Sequence, residues 1–130
     1  VTDGGGTPDP DPEPPAGDYV NTDNVNIPDY GGWVASDINV TGRSGNGPSA
    51  LKVAVDIKHT FRGDLTVVLE APDGTDFVLK NWSYYDSAAN IVETYTVDAS
   101  RVAANGIWQL WVRDSYPNDT GYIDSFGLTF

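Results

Sequence analysis

The stretch LKVAVDIK, residues 51–58, decides the fold, because every second side chain in it is apolar. A period of two places the apolar side chains on one face of a β-strand and the remaining ones on the other face. The inward-facing residues are Leu51, Val53, Val55 and Ile57. The pattern therefore predicts a strand with one buried face.

Short runs of the same kind continue along the chain, separated by clusters of Gly, Asn, Asp and Pro. The segments Leu65–Glu70 and Phe77–Lys80 flank the turn Pro72–Thr75, which predicts a hairpin. A helical turn is predicted only at Asp98–Ala104. Further strands are predicted at Ala35–Val40, Ile91–Val97, Ile107–Arg113 and Ile123–Phe130. This spacing predicts an all-β, antiparallel jelly-roll β-sandwich.

Residues 1–18, VTDGGGTPDPDPEPPAGD, have a different character from the rest of the chain. Pro alternates with Asp or Glu and no apolar periodicity is present, so fixed φ angles and charge repulsion favour an extended, solvated segment. We expect residues 1–18 to be a linker and residues 19–130 to be one domain. A linker at this position implies a folded domain upstream.

The composition excludes several classes of partner. The formal net charge is −12, from 19 acidic and 7 basic residues, so phosphate backbones and anionic membrane surfaces are repelled and divalent cations are attracted. There is no Cys, which excludes disulfides and thiolate metal sites. No apolar run approaches the ~20 residues of a membrane helix. We therefore expect neither nucleic acid nor a membrane as a partner.

Three stretches, taken in order, resemble the P domain, also called the Homo B domain, of kexin- and furin-like proprotein convertases and of bacterial secreted peptidases. The first is His59–Leu65, followed by Val67–Leu69 and Ala71–Thr75. The second is Asn105–Leu110, running on to Val112 and Asp114. The third is Asp119–Phe126 with Leu128–Phe130, where the family usually has Trp at the position of Phe126. The resemblance covers residues 24–130 and leaves the predicted linker outside.

This resemblance implies a fold and a function. It implies a jelly-roll β-sandwich of the galactose-binding-like type that follows a catalytic domain in the same chain. Such a domain supports the folding or stability of a peptidase of the serine (subtilisin- or kexin-like) or metallo class, or docks to it, and has no peptidase activity of its own. It also implies calcium, since some bacterial members carry this ion. We expect a secreted, extracellular protein of bacterial origin.

The residues themselves favour the absence of catalysis. His59 is the only His, and it lies where a strand enters a turn, which favours a structural hydrogen bond over a catalytic triad. No nucleophile elbow, metalloprotease helix or phosphate-binding Gly loop is present. Glu70 and Glu93 could form a carboxylate pair for glycoside hydrolysis, but their spacing does not single them out. Arg62-Gly63-Asp64 is interpreted as a turn and not as an adhesion motif.

Calcium is the favoured cofactor, because hard cations bind six to eight oxygen ligands of the kind that Asp-rich loops supply. The loop from Asp114 to Asp124 offers Asn118 and Thr120 as neutral donors, and the first strand of such a sandwich is expected near the last. The predicted metal ligands are Asp29, Asp37, Asp114, Asp119 and Asp124. Asp86 and Asp98 are outlying candidates.

The aromatic residues predict a contact surface. Trp108 is assigned to the core, Trp33 to one end of the sandwich, and Trp111 to the opposite face from Trp108. The aromatic residues expected near Trp111 are Trp82, Tyr84, Tyr85, Tyr116 and Tyr122. Such a surface could dock on the upstream peptidase domain. The alternative is a module that binds a protein or polysaccharide substrate by stacking, and the sequence leaves this alternative open.

Overall fold

The structure, a computed structural model, describes residues 17–130, so residues 1–16 of the predicted linker, which spans residues 1–18, lie outside the described residues. The described residues form nine strands and one short 3₁₀ helix at Arg62–Asp64. The strands are β1 Tyr19–Asn21, β2 Val25–Ile27, β3 Val34–Val40, β4 Leu51–His59, β5 Leu65–Glu70, β6 Asp76–Lys80, β7 Ile91–Val97, β8 Gly106–Asp114 and β9 Gly121–Thr129.

Two antiparallel sheets form a sandwich. The first has the order β1-β9-β4-β7, with β2 also paired to β9, and the second has the order β3-β8-β5-β6. In the first sheet, Val55 lies opposite Phe126 and Ile57 lies opposite Ile123, so the register skips Asp124 at a β-bulge. The prediction of an all-β antiparallel sandwich is confirmed.

The core lies between the inward faces of the two sheets, as alternation along the strands requires. Leu51, Val53 and Ile57 of β4 are fully buried, and they belong to the same cluster as Trp108 of β8 and Phe126 of β9. Trp108 also donates its indole N–H to the carbonyl of Ala104 at 2.9 Å, so its one polar atom is paired inside the core. The assignment of Trp108 to the core is confirmed.

Most strand predictions agree with the structure within two residues, but two local predictions differ. The segment Asp98–Ala104 contains no helix; Asp98 instead accepts hydrogen bonds from the N–H and the hydroxyl of Ser100, which closes a turn. The short strands β1 and β2 were not predicted, because three residues are too few to show alternation and pairing with β9 creates them.

The two ends of the sandwich differ in composition. At one end, Asp18 pairs with Arg43 at 2.8 Å and accepts the N–H of Phe130, and the Arg43 guanidinium lies over the rings of Tyr19 and Phe130. At the opposite end lie His59, the 3₁₀ helix and the loop between β8 and β9. The second end holds the candidate site. Among residues 17–130, no helix has the length and apolar character needed to cross a bilayer.

Candidate functional site

A buried His–Asp pair lies at the end of the sandwich that holds the 3₁₀ helix and the β8–β9 loop. His59 is 2% exposed and Asp114 is fully buried, with Nε2 and Oδ2 3.1 Å apart. Nδ1 of His59 lies within hydrogen-bonding distance of both the backbone N–H and the carbonyl of Phe61, at 3.1 and 3.0 Å, so both ring nitrogens are engaged. The other oxygen of Asp114 accepts the N–H of Tyr116. The pair therefore fixes the β4–β5 turn to the end of β8.

The 3₁₀ helix Arg62–Asp64 is packed tightly against the loop that precedes β7. The N–H of Gly63 donates to the carbonyl of Asp86, and the carbonyl of Gly63 accepts the N–H of Ser83. A Cβ at position 63 would lie 2.2 Å from the Ser83 carbonyl oxygen. Arg62 is paired with Asp86. Since Gly63 and Asp64 are buried, the motif is part of the turn and is not presented for adhesion.

Asp64 has an unusual environment. Asp64 is only 5% exposed, and its Oδ2 atom has no hydrogen-bond partner. Burial, followed by the negative charges of Asp114 and Asp119, raises the pKa of Asp64 to about 6. An unpaired buried oxygen among carboxylates is a group that a cation would satisfy.

Asp119 and Asp29 lie at the same end, and together with Asp64 and Asp114 they are called the acidic corner. Oδ1 of Asp119 accepts the hydroxyl of Thr60 at 2.8 Å. The two carboxylate oxygens of Asp29 accept the backbone N–H groups of Asn118 and Asp119, at 3.1 and 3.3 Å. The predicted approach of the first strands to the last is thus observed, and it fixes the β8–β9 loop beside the β4–β5 turn.

The five predicted metal ligands occupy different parts of the fold. Asp29, Asp114 and Asp119 lie at this end, whereas Asp37 lies on the outer face of the other sheet, where it accepts a hydrogen bond from Gln109. Asp124 lies at the β9 bulge, 3.8 Å from the ammonium of Lys58. Of the outlying candidates, Asp86 binds Arg62 and Asp98 closes its own turn. Within residues 17–130, no three Asp, Glu or His side chains converge closely enough to hold a metal ion by themselves.

Asp64 was not among the ligands predicted from the sequence. The pairing of β5 with β8 places Leu65 opposite Asp114, and so places the preceding residue, Asp64, at the candidate site. This pairing joins residues about 50 positions apart, and no local pattern encodes it. The one available signal was an Asp directly before a predicted buried strand.

An aromatic cluster lies at the same end, and its members are Trp82, Tyr84, Tyr85 and Tyr116. The ring of Trp82 meets that of Tyr116 edge to face at 5.5 Å, and Tyr84 contacts both Tyr85 and Tyr116. Despite these contacts Tyr84 is 65% and Tyr85 is 90% exposed. Exposed, mutually supported aromatic rings form a preorganised contact surface.

Trp111, Trp33 and Tyr122 are not part of this cluster. Trp111 projects from the outer face of the second sheet and lines a groove with Trp33. Tyr122 lines a separate cleft with Lys58 and Asn90. The expected grouping of Trp111 and Tyr122 with the cluster was therefore wrong, because the cluster lies in the loops at one end and these residues lie on strands.

Comparison with known proteins relates the chain to peptidases. A sequence profile described as Proprotein convertase P-domain matches residues 48–130, more than half of the chain. The chain is 60% identical over 112 residues to a protein named Transglutaminase-activating metalloprotease from Streptomyces mobaraensis, and 51% identical over 120 residues to Leupeptin-inactivating enzyme 1 from Streptomyces exfoliatus. It is 32% identical over 129 residues to the Extracellular basic protease of Dichelobacter nodosus.

These matches cover 86%, 92% and 92% of this chain, but only 15%, 27% and 21% of the respective relatives. Among solved structures, the chain is similar to the Aeromonas sobria serine protease in complex with the chaperone ORF2, with a TM-score of 0.62 and 17% identity. The match covers 80% of this chain and 24% of that protease. A second crystal structure, of the serine protease of Aeromonas sobria, has a TM-score of 0.54 and 18% identity to this chain. At these identities the solved structures show a shared fold.

Proposed function

Since the chain belongs to the proprotein convertase P-domain family, we propose that it is a non-catalytic accessory domain of a larger secreted bacterial peptidase. In this role it supports the folding and stability of a catalytic domain upstream in the same chain. The 60% identity to a protein named a metalloprotease favours a metallopeptidase parent over a serine peptidase. The name of the Dichelobacter relative, which includes the word extracellular, supports secretion.

The observation that carries this proposal is the state of His59. Its ring is in the core, 2% exposed, with one nitrogen engaged by the Phe61 N–H and the other by Asp114. A general base must reach a proton of the substrate, and this imidazole reaches none from solvent. His59 therefore acts as a structural link between the β4–β5 turn and β8.

The aromatic cluster is the proposed contact with the catalytic domain. Its exposed rings can bury a large apolar area at small entropic cost, because their mutual edge-to-face contacts already restrict them. The cluster is also continuous with the turn that holds Gly63, through the backbone pairs of Ser83 and Asp86. A partner that covers the cluster would therefore also restrain the acidic corner.

The test of this contact is the double variant Trp82→Ala, Tyr85→Ala in the full-length peptidase. We expect its temperature of half-inactivation to fall by several degrees, while the melting temperature of the isolated 130-residue chain changes little. The matched control is Val92→Ala, which removes an exposed apolar side chain from β7. If the double variant and the control have the same temperature of half-inactivation, the cluster is not the contact. If the double variant only loses its retention on an insoluble polymer, the substrate-binding alternative is favoured.

We also propose that a calcium ion binds at the acidic corner. The residues fit such an ion, since Oδ2 of Asp64 is buried and unpaired and the negative charges of Asp114 and Asp119 are close enough to raise the pKa of Asp64. Asp64 and Asp119 would supply the carboxylates, and Asp29 would hold the adjoining loop through its N–H contacts. When bound, the ion neutralises the repulsion among these carboxylates and joins the β4–β5 turn to the β8–β9 loop.

Thermal unfolding in excess EDTA and in millimolar calcium tests this site. A ligand at 100 times its Kd adds about 2.7 kcal/mol to the free energy of unfolding, which corresponds to a rise in Tm of several degrees. We expect Asp64→Asn and Asp119→Asn to abolish the rise. Asp37→Asn and Asp124→Asn are matched controls and should retain it. A calcium-independent Tm, or a rise that persists in Asp64→Asn, contradicts the site.

A further inference from the structure

The outer face of the second sheet carries an acidic row beside an apolar row. Across the strand order β3-β8-β5-β6, Asp37 lies opposite Gln109, Gln109 lies opposite Glu70, and Glu70 lies opposite Asp76. Three carboxylates thus stand in one line perpendicular to the strands, with Glu70 and Asp76 on neighbouring strands ~4.8 Å apart and Asp37 two strands, or ~10 Å, from Glu70.

The apolar row is the neighbouring line of residues on the same face. Ala35 lies opposite Trp111, Trp111 opposite Val68, and Val68 opposite Val78, which is 59% exposed. Trp33, 43% exposed, precedes β3 and closes one side. Trp33, Val68, Glu70, Asp76 and Trp111 together line a groove of about 350 Å³.

The groove is held in a fixed arrangement. The indole Nε1 of Trp111 donates to Oε1 of Glu70 at 2.9 Å, so the ring and the carboxylate are oriented by one another. Glu70 and Asp76 are direct cross-strand neighbours, a placement of like charges that destabilises a sheet. In the part of the chain that the structure describes, neither carboxylate forms an ion pair. Among residues 17–130, no cation therefore relieves this repulsion.

Nearby cations of the chain do not reach these carboxylates. Arg113 is on the same face but lies opposite Thr66. It is four residues along β8 from Gln109, the partner of Glu70, so the two backbone positions on β8 are about 13 Å apart. Lys80 donates instead to the carbonyls of Leu65 and Asn81. Residues 1–18 contain neither Lys nor Arg.

We propose that this groove binds a Lys or Arg side chain presented by a basic segment of another polypeptide. The face of a Trp ring attracts a cation, and Glu70 and Asp76 supply the opposing charge. A neutral sugar would also stack on Trp, but it would leave the carboxylate repulsion in place. A second copy of this chain, at a net charge of −12, is repelled. Charge complementarity therefore selects a basic polypeptide.

The four Trp residues of the chain give a direct assay, because each has one indole N–H signal in a proton–nitrogen correlation spectrum. The probe is a tetralysine peptide with blocked ends, titrated into the 130-residue chain. We expect the signals of Trp33 and Trp111 to shift, and those of Trp82 and buried Trp108 to remain in place. The same peptide with acetylated side-chain amines, which carries no charge, should produce no shift.

Charge-neutralising variants identify the site within the acidic surface. Glu70→Gln, which keeps the acceptor for Trp111, and Asp76→Asn should each weaken binding about fivefold, as loss of one partially exposed charge contact predicts. Glu93→Gln on β7 removes the same charge from the other sheet and should leave the affinity unchanged. Equal weakening in all three variants, or equal binding of the acetylated peptide, would overturn the proposal. It would also be overturned if a neutral oligosaccharide shifted the signals of Trp33 and Trp111 and bound equally well to Glu70→Gln.

Discussion

Burial of the Asp64 carboxyl couples the stability of the domain to pH. Its pKa is raised from 3.8 to about 6 in the folded state, so between these values the folded chain binds more protons than the unfolded chain. In the absence of calcium, the contribution of Asp64 therefore makes the free energy of unfolding fall as the pH rises from about 4 to about 6. Calcium, which binds the ionised form, should bind more weakly as the pH falls through about 6.

The variant Asp64→Asn isolates this effect. In EDTA we expect the variant to lack the decrease between pH 4 and 6 and to be about 1–3 kcal/mol more stable than the parent chain near pH 7. Urea unfolding across this pH range measures the difference, with Glu93→Gln as the control. Parallel pH profiles for the variant and the parent chain would show that Asp64 ionises normally.

At the same scale, the sequence predicted residue types better than residue partners. It identified His59 as structural and Trp108 as core, since both follow from their place in a strand pattern. It did not predict that Asp64 meets Asp114 and Asp119, because three segments distant in the chain form that corner. Alternation gives the face on which a side chain lies but not its neighbours on other strands.

At the level of elements, the 3₁₀ helix depends on a close approach at Gly63. An Ala Cβ at this position would lie 2.2 Å from the Ser83 carbonyl oxygen and 2.4 Å from that of Asp86, so one of the two segments must move. We expect Gly63→Ala to cost about 1–3 kcal/mol of stability and to weaken calcium binding, because the turn carries Asp64.

Urea unfolding and calcium titration measure both effects of Gly63→Ala. The matched control is Gly32→Ala, since a Cβ at position 32 would meet no atom within 4 Å. If Gly63→Ala and Gly32→Ala have equal stabilities and calcium affinities, the turn tolerates the extra atom and the packing argument is wrong.

The elements themselves were the most predictable level of the structure. β4 and β5 have a period of two, β7 is rich in β-branched residues, and all three are bounded by turn residues, so they were predicted within one residue of their ends. The strands β1 and β2 required β9 as a template, and the turn at Asp98 required the Ser100 contacts. Elements that are stabilised by their own sequence were thus predictable, whereas those stabilised by a partner were not.

For the whole molecule, the sandwich separates three surfaces. The acidic corner and the aromatic cluster share one end, the Asp18–Arg43 contacts lie at the other end, and the acidic and apolar rows lie on the outer face of the second sheet. A fold of this kind can support one partner at an end and another on a face, because the core between the sheets is independent of both. The separation lets the proposed stabilising role and the proposed binding of basic polypeptides be tested by different variants.

In the proposed function, this domain performs no chemistry and stabilises a catalytic domain. The most direct test compares the full-length peptidase with a form that lacks residues 19–130, by the yield of active enzyme on expression and by the temperature of half-inactivation. We predict a lower yield and an inactivation temperature lower by several degrees for the truncated form, and no peptidase activity from the isolated chain. Equal yield and equal inactivation temperatures for the two forms would contradict the claim.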